Sequence, residues 1–446
     1  MQRSRWSILS GIIIGFLLLT ITALPVLARE KEKVALLIGE SGSYDVSQGI
    51  SEAVKIPEVD ERYDFYLYTA EDLKEEKIDR EIIAQSAIFL VDTMYPEITD
   101  YALKNANSKN TKVYSVREKA DAAKTETGEI VFDPYLKEYY SPPGKKNIKN
   151  LLLFLLNRDF HLKVSFEGPV TLPEKGFFHP RASKIFDTFD QYLSWYKEQG
   201  FYKKDGFWVG VADYSSYANP GDTCKVVSAL ISSLEENSIN VLPGFAYPSR
   251  PEDLFFNDEG KNRVDVICGL CFKMSATATD KTRKKFMKLA VPVLNAGRVW
   301  RTIPEWMESP QGLSPTEISW QICVPEFNGL IEPSVLGGKI AITDERTGKE
   351  VYEHRPIKEN IEFLVRRIKA WRNLQVKANK DKRIAIIYWN HTPGKQNVGA
   401  SYLNVFRSLE GILKRMRDEG YTIRGIIGNP YPEAVFFIEP LLFIPG

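Results

Sequence analysis

The fold is indicated first by Val34-Ala-Leu-Leu-Ile-Gly39, an apolar run that stops at a glycine. A continuous apolar run that enters a turn is typical of a parallel strand buried on both faces. Similar runs, separated by polar and helix-like segments, follow at residues 63–68, 87–91 and 112–116. Strands that alternate with helices predict right-handed βαβ units, so we expect a first α/β domain over residues 33–120.

The same pattern returns later in the chain, beginning at Phe207-Trp-Val-Gly-Val211. Further apolar runs, with helix-like segments between them, lie at residues 239–245, 264–268 and 291–295. They predict a second α/β domain over residues 206–335. Between the two domains, we expect residues 121–205 to hold a linker and a helical segment. The linker is expected to be a polar connection as far as residue 146, and Leu151-Leu-Leu-Phe-Leu-Leu156 to form one buried helix.

The last part of the chain predicts a hairpin and a long helix over residues 336–380, and then a third α/β unit over residues 381–446. In that unit we expect a strand at 383–389, a helix at 402–419 and a strand at 422–427. Two strands leave the faces of a sheet exposed, so this last unit is predicted to be incomplete. The expected fold class is α/β, with successive Rossmann-like or flavodoxin-like parallel-sheet domains and helical insertions.

The N-terminal residues predict export. Arg3 and Arg5 precede an apolar run from Trp6 to Ala28, and a charged segment follows it. A positive start, an apolar middle and a small residue at the end are typical of a signal peptide. The run also reaches the roughly 20 residues that a membrane-spanning helix needs. We therefore expect residues 1–28 to be a signal peptide or a membrane anchor, and the protein to be exported or membrane-anchored.

Composition excludes some classes of protein. Lysine and arginine total 59 against 58 acidic residues, so no positive field exists to hold a phosphate backbone and we expect no nucleic-acid partner. Four cysteines are too few for a disulfide scaffold in a chain of 446 residues. Cys268 and Cys271 have the spacing of a metal or redox pair but follow an apolar strand, so buried structural thiols and a functional pair both stay open.

One long segment carries a specific resemblance. Its sequence, over residues 384–404, is IAIIYWNHTPGKQNVGASYLN. A buried strand would deliver Asn390 and His391 to a loop shaped by proline and glycine, and Ser401 or Asn404 could cap the helix that follows. The segment resembles the signature of cobaltochelatase large subunits and, more distantly, that of magnesium chelatase large subunits. Other parts of the chain that resemble this family, in the same order, are His179-Pro180, Val209-Gly-Val211 and residues 309–315.

The resemblance implies a role in inserting metal into a tetrapyrrole. Members of the family bind a corrin or porphyrin macrocycle, while AAA+ ATPase and bridging chelatase subunits supply the energy of ATP. This implies a large subunit, or a fragment of one, that inserts cobalt into a corrin ring in cobalamin biosynthesis. Cobalt or magnesium would be the substrate metal. We expect no cofactor on the chain itself, because the sequence contains no Gly-x-x-x-x-Gly-Lys-Ser/Thr motif for ATP.

Metal insertion needs a base that takes the pyrrole protons and a ligand that passes the metal to the ring, and both tasks suit histidine. The candidate catalytic residue is His391, with a loop histidine that bonds only its own turn as the alternative. The candidate macrocycle-binding groups in the same segment are Asn390, Lys395, Asn397, Ser401, Tyr402 and Asn404. Tyr214, Tyr217 and Arg298 follow strands of the second domain, where open α/β sheets place ligands, and are further candidates.

The remaining histidines are expected to have structural roles. We expect capping or packing for His179, and structural or exposed positions for His161 and His354. Two other functions stay open. One is an exported, non-catalytic protein that binds tetrapyrrole or metal, which the N-terminal segment favours. The other is a truncated gene product, which the apolar tail after Gly428 favours.

Overall fold

The structure is a computed structural model. The residues that it describes are 30–106, 111–117, 130–141, 144–214, 217–218, 220, 223–246, 251–270, 279–345, 348–386 and 402–423. The predicted signal peptide or anchor at residues 1–28 lies outside them. Within these described ranges, no helix is both long enough and apolar enough to cross a bilayer.

The first unit is built on a parallel sheet. Its described strands are β1 (Glu32–Ile38), β2 (Tyr63–Thr69), β3 (Ser86–Val91), β4 (Lys112–Ser115) and β5 (Ile130–Phe132). Their order is β2-β1-β3-β4-β5, and every pair is parallel. This is the strand order of flavodoxin-like folds, so the predicted parallel α/β architecture is confirmed.

Helices cover both faces of this sheet. They are α1 (Ser43–Ala53), α2 (Pro57–Asp60), α3 (Ala70–Lys74), α4 (Arg80–Gln85), α5 (Pro96–Asn105), α6 (Pro134–Tyr140) and α7 (Lys145–Phe160). Successive side chains of a strand point to opposite faces. Leu36 of β1 therefore joins the core beneath α1 and α7, and Leu37 joins the core beneath α5. The uninterrupted apolar run of β1 is a consequence of this two-sided burial.

The first unit extends beyond its predicted limit at residue 120. Strand β5 pairs with β4, and Leu136, Tyr139 and Tyr140 of α6 are buried in the core beneath α7. The prediction of a polar connection is therefore wrong over residues 130–141. Pro134 is the first residue of a short helix rather than part of a linker, because the two tyrosines and the leucine supply a buried face. Helix α7 is buried as predicted.

The second unit is built on a mixed sheet. Its described strands are β6 (Lys175–Phe177), β7 (Trp208–Asp213), β8 (Asn240–Ala246), β9 (Val266–Gly269), β10 (Val293–Thr302), β11 (Ile331–Thr343) and β12 (Glu350–Pro356). The order is β12-β11-β10-β9-β7-β8-β6. The five central strands are parallel, and the two edge strands β6 and β12 are antiparallel to their neighbours. The predicted hairpin is confirmed as β11 and β12.

Short and long helices connect these strands. They are α8 (Phe189–Glu198), α9 (Lys225–Glu236), α10 (Thr279–Leu289), α11 (Ile303–Glu308), α12 (Pro315–Ile318), α13 (Val324–Phe327) and α14 (Lys358–Val376). A π-helical turn, Ser319–Cys323, joins α12 to α13. Tyr192 and Tyr196 of α8 are fully buried.

The hairpin of the second unit packs on the first unit. The hydroxyl of Ser43 in α1 accepts a hydrogen bond from the backbone N–H of Tyr352, at 3.2 Å. The hydroxyl of Ser47 donates to the carboxylate of Asp344. Val351 of β12 is buried in the core of the first unit. These contacts place β12, the edge strand of the second sheet, against the first unit.

The predicted third unit is described only in part. Helix α15 (Val405–Asp418) confirms the expected helix. Strands were expected at 383–389 and 422–427, but the described residues 383–386 and 422–423 carry no strand, and the rest of both ranges lies outside the described residues. The incomplete last α/β unit therefore stays a prediction.

Candidate functional site

The carboxyl edge of the second sheet between β7 and β9, here called the crevice, is a topological switch point. Strand β7 has β8 on one side and β9 on the other, so the chain moves from β7 to one neighbour and then crosses to the opposite side. Where neighbouring strands have connections that leave in opposite directions, open α/β sheets form a crevice that binds ligands. Asp213 is the last residue of β7, and Leu270 directly follows β9. Both residues therefore border this crevice.

Arg298 of β10 spans the crevice through a buried ion pair. Its two terminal nitrogens donate to the two carboxylate oxygens of Asp213, at 2.7 and 2.8 Å. A longer bond of 3.4 Å reaches the carbonyl oxygen of Leu270. The side chains of Arg298 and Asp213 are 7% and 0% exposed. Burial opposes the charge on Arg298, but the Asp213 carboxylate outweighs it and raises the arginine pKa, so the pair stays ionised.

Tyr217 lies against this ion pair. The guanidinium carbon of Arg298 is 3.9 Å from the centre of the Tyr217 ring, a close cation–π contact. Burial raises the pKa of the Tyr217 hydroxyl, which therefore stays protonated at neutral pH. The carbonyl of Tyr217 accepts a hydrogen bond from the N–H of Cys224 at the start of α9, at 3.2 Å. Burial also raises the pKa of the Cys224 thiol, so it is not a reactive thiolate.

His354 of β12 completes the group from the side of the first unit. Its ring stands edge-on to Tyr217, with the ring centres 5.9 Å apart and an interplanar angle of 86°. Burial, followed by the positive charges of Arg298 and Lys339, lowers the pKa of His354 to about 3. The imidazole is therefore neutral at neutral pH. Its Nδ1 atom is buried and has no hydrogen-bond partner within the part of the chain that the structure describes. His354 is thus half-buried rather than exposed.

Lys339 of β11 lies directly opposite His354 in the antiparallel ladder. Directly opposed residues point to the same face, with Cβ atoms about 4.5–5.5 Å apart. Burial lowers the pKa of Lys339, although the charges of Glu40, Glu305 and Glu317 act in the opposite direction. The site therefore combines a neutral imidazole, a partly desolvated ammonium group and a tyrosine ring that stacks on an ion-paired arginine.

The structure brings together two of the predicted site residues. Tyr217 and Arg298 are in contact, as stated above. Tyr214 is separate, because its side chain packs on the core on the other face of the sheet, although its N–H donates to Asp213 at 2.8 Å. Asn404 caps α15 by accepting from the N–H of Arg407 at 3.0 Å, which confirms the predicted cap. Tyr402 is fully exposed.

The other predicted residues lie outside the described part of the chain. They are Asn390, His391, Lys395, Asn397 and Ser401. Cys271 also lies outside it, and Cys268 is buried with a thiol pKa that burial raises to about 12. Among the described residues, no three histidine, cysteine, aspartate or glutamate side chains are grouped so that they could hold a metal ion. The polar and aromatic side chains described at the crevice are those of Asp213, Arg298 and Tyr217.

Sequence reasoning missed Lys339 and His354. Both lie on a hairpin at the edge of the sheet, and only pairing between β11 and β12 brings them together. The alternation of buried and exposed residues along β12 was the available signal. His179 is buried and packs against Phe201, which agrees with the expected packing role. Its Nε2 lies 3.0 Å from a carboxylate oxygen of Glu235.

Comparison with known proteins places most of this chain in one sequence family. The family described as CobN/Magnesium Chelatase matches residues 137–436, which is more than half of the chain. A similar relative is the chloroplastic magnesium-chelatase subunit ChlH of Oryza sativa subsp. indica, 31% identical over 59% of this chain and 20% of its own length. The aerobic cobaltochelatase subunit CobN of Pseudomonas aeruginosa is 28% identical over 65% of this chain and 23% of its own length. The chain thus spans about a fifth to a quarter of the length of these relatives.

A solved structure has a similar fold. The catalytic subunit of cobaltochelatase from Mycobacterium tuberculosis superposes with a TM-score of 0.55 and 18% sequence identity. The match covers 89% of this chain and 31% of the solved one. At this identity the likeness concerns the fold alone.

Proposed function

Since the chain belongs to the CobN/magnesium chelatase family, we propose that it is a tetrapyrrole-binding part of the large subunit of a metal chelatase. The observation that carries this proposal is the family match over residues 137–436. That range contains every strand of the second sheet, and therefore the whole described crevice. The relatives named as chelatase subunits support the substrate class.

We propose that the macrocycle binds at the crevice between β7 and β9. The Tyr217 ring is held in place by the guanidinium of Arg298, and it offers an aromatic face or edge to a flat conjugated ring. Because Asp213 neutralises Arg298, the crevice does not carry an unpaired arginine charge. A ligand that is largely apolar with a few polar substituents suits these surroundings.

The finer assignment within this proposal is the insertion of cobalt into a corrin. It is supported by residues 390–394, Asn-His-Thr-Pro-Gly, which resemble the cobalt branch of the family more than the magnesium branch. In this proposal His391 takes the pyrrole protons. ATP acts through AAA+ ATPase and bridging subunits that bind the large subunit. Cobalt, or magnesium on the alternative branch, enters as substrate.

An absorbance titration tests the proposal. The purified full chain is titrated separately with a metal-free corrin, hydrogenobyrinic acid diamide, and with a metal-free porphyrin, protoporphyrin IX. We expect a saturable spectral shift, at one macrocycle per chain, with the corrin. Saturable binding of the porphyrin alone would keep the chelatase assignment but reject cobalt insertion. Absence of any shift with either macrocycle would reject tetrapyrrole binding.

We also propose that residues 1–28 direct the chain to the membrane, either as a cleaved signal or as an anchor. The support is the charge and hydropathy of that segment. Fractionation of cells that produce the full chain tests this. Recovery of the chain with an intact N-terminus only in the soluble cytoplasmic fraction would reject the proposal, whereas recovery in the membrane fraction or after cleavage near Ala28 would support it.

A further inference from the structure

The opposed side chains of Lys339 and His354 lack the partners that half-buried polar groups normally have. Among the described residues, neither the ammonium of Lys339 nor the ring of His354 forms a hydrogen bond or an ion pair. The Nδ1 atom of His354 is buried without a partner. Buried polar groups are nearly always hydrogen-bonded. The hairpin thus presents an ammonium donor and a buried ring nitrogen whose hydrogen-bonding capacity is unmet among the described residues.

The carboxylates nearest to Lys339 are already engaged with backbone N–H groups. Glu40 accepts from the N–H of Glu71 at 2.8 Å. Glu305 accepts from the N–H of Thr302 at 2.8 Å, and Glu317 accepts from those of Trp300 and Ser314 at 2.7 and 2.9 Å. These carboxylates affect Lys339 through longer-range charge, not through contact. Each is held at the beginning of a helix or strand segment, so none is free to turn towards the ammonium.

The two side chains lie beside the crevice. The ring of His354 touches that of Tyr217, which in turn covers Arg298. Gly337, on the same face of β11 as Lys339, sits against Val226 at the start of α9, where an added Cβ would lie 2.6 Å from the valine side chain. His354 is therefore a neighbour of both Lys339, its partner in the ladder, and Tyr217.

We propose that Lys339 and His354 form a subsite for a carboxylate substituent on the rim of the bound macrocycle. This inference rests on the proposed function, because the macrocycle supplies the carboxylate. Lys339 would donate from its ammonium group, and neutral His354 would donate from Nδ1. An ammonium group has no lone pair for a metal ion and repels cations, so a metal site at this position is excluded.

The chemistry favours a carboxylate over a neutral substituent. A hydrogen bond between an ammonium group and a carboxylate is about twice as strong as a neutral one. A primary amide offers an acceptor without the charge. The wild-type chain should therefore prefer the acid form of a macrocycle to its amide form by about tenfold or more in Kd.

The test compares two forms of the macrocycle that binds in the absorbance titration: the free acid, and the derivative in which its carboxylates are converted to primary amides. The full-length variant Lys339→Met removes the ammonium but keeps a chain of similar length. Lys358→Met is the matched control, because it deletes the same charge at a side chain that is 84% exposed. The expected result is that Lys339→Met loses the preference for the acid form and binds the amide form as wild type does. Lys358→Met should retain the preference.

Each outcome has a distinct meaning. Equal binding of both forms by the wild-type chain, with saturable shifts, would overturn the carboxylate subsite and leave tetrapyrrole binding intact. An equal loss of both forms in Lys339→Met would also overturn it, because the lysine would then support the fold. Absence of binding of either form by wild type would reject the proposed function itself.

Displacement of the acid form by free acetate and phosphate only in chains with Lys339 would support the subsite. A Lys339-dependent thermal shift with phosphate, without a preference for the acid form, would show a general anion site and overturn the assignment to the macrocycle.

Discussion

Removal of either partner of the buried ion pair between Asp213 and Arg298 should destabilise the second unit strongly. The substitution Asp213→Asn keeps the shape of the side chain and removes its charge. Arg298 would remain 7% exposed and charged, with no carboxylate in contact. Breaking one partner of such a pair costs about 3–5 kcal/mol, since it leaves an uncompensated buried charge. A domain has a net stability of only about 5–15 kcal/mol, so this loss would be large.

The assay is urea unfolding of the full chain, followed by circular dichroism. Arg415→Met is the matched control, because Arg415 lies 2.6 Å from Glu419 and the two side chains are 76% and 51% exposed. An exposed pair of this kind is worth about 0–1 kcal/mol. The double variant Asp213→Leu/Arg298→Met removes both charges and should recover much of the stability lost in Asp213→Asn. If Asp213→Asn unfolds within about 1 kcal/mol of wild type, as the control does, the reasoning about the buried charge is wrong.

Two other predictions concern protonation and packing. Because the pKa of His354 is lowered from 6.5 to about 3, its neutral state stabilises the fold above pH 6.5, and this contribution is lost as the pH falls towards 3. In urea unfolding, the free energy of unfolding of the wild type should therefore fall between pH 7 and about 4 by an amount that His354→Phe does not lose, so the difference between the two proteins should decrease. A difference that is constant with pH would refute the low pKa. In β7, a Cβ at Gly210 would lie 2.5 Å from the Phe255 ring, so Gly210→Ala should cost about 1–3 kcal/mol. No described atom lies within 4 Å of a Cβ built at Gly411 in α15, so Gly411→Ala should raise the free energy of unfolding by about 0.5–1 kcal/mol. Equal thermal midpoints for Gly210→Ala and Gly411→Ala would contradict these two predictions.

The parallel sheets could be predicted because their strands carry strong local signals. The apolar run of β1 is buried on both faces, and the hairpin of β11 and β12 follows from two short strands around a turn. Strand β6 was not predicted, because its three residues, Lys175–Phe177, are too few for a periodic pattern. It joins the sheet only through pairing with β8. Likewise, α6 was taken for part of a connection because the prolines and glycines of the surrounding sequence are typical of a loop, and the buried face of the helix is short.

The candidate site could be predicted only where it follows the strand ends of a parallel sheet. That rule selected Tyr217 and also Tyr214, whose ring turns to the opposite face. It selected Arg298 as well, but β10 continues to Thr302, so Arg298 lies within the strand and not after it. His354 and Lys339 come from an antiparallel edge, for which the rule gives no expectation. Their juxtaposition depends on the register of β11 and β12, and their low exposure depends on packing against the first unit.

The central claim is that a tetrapyrrole binds at the carboxyl edge of the second sheet. Hydrogen–deuterium exchange of the full chain, with and without a saturating metal-free macrocycle, tests it most directly. The account predicts slower exchange in peptides from the ends of β7, β9 and β12, around Asp213, Leu270 and His354. Peptides from α4, on the first sheet, should exchange at unchanged rates. Saturable binding with protection confined to the first sheet, or with no change at β7 and β12, would contradict the claim.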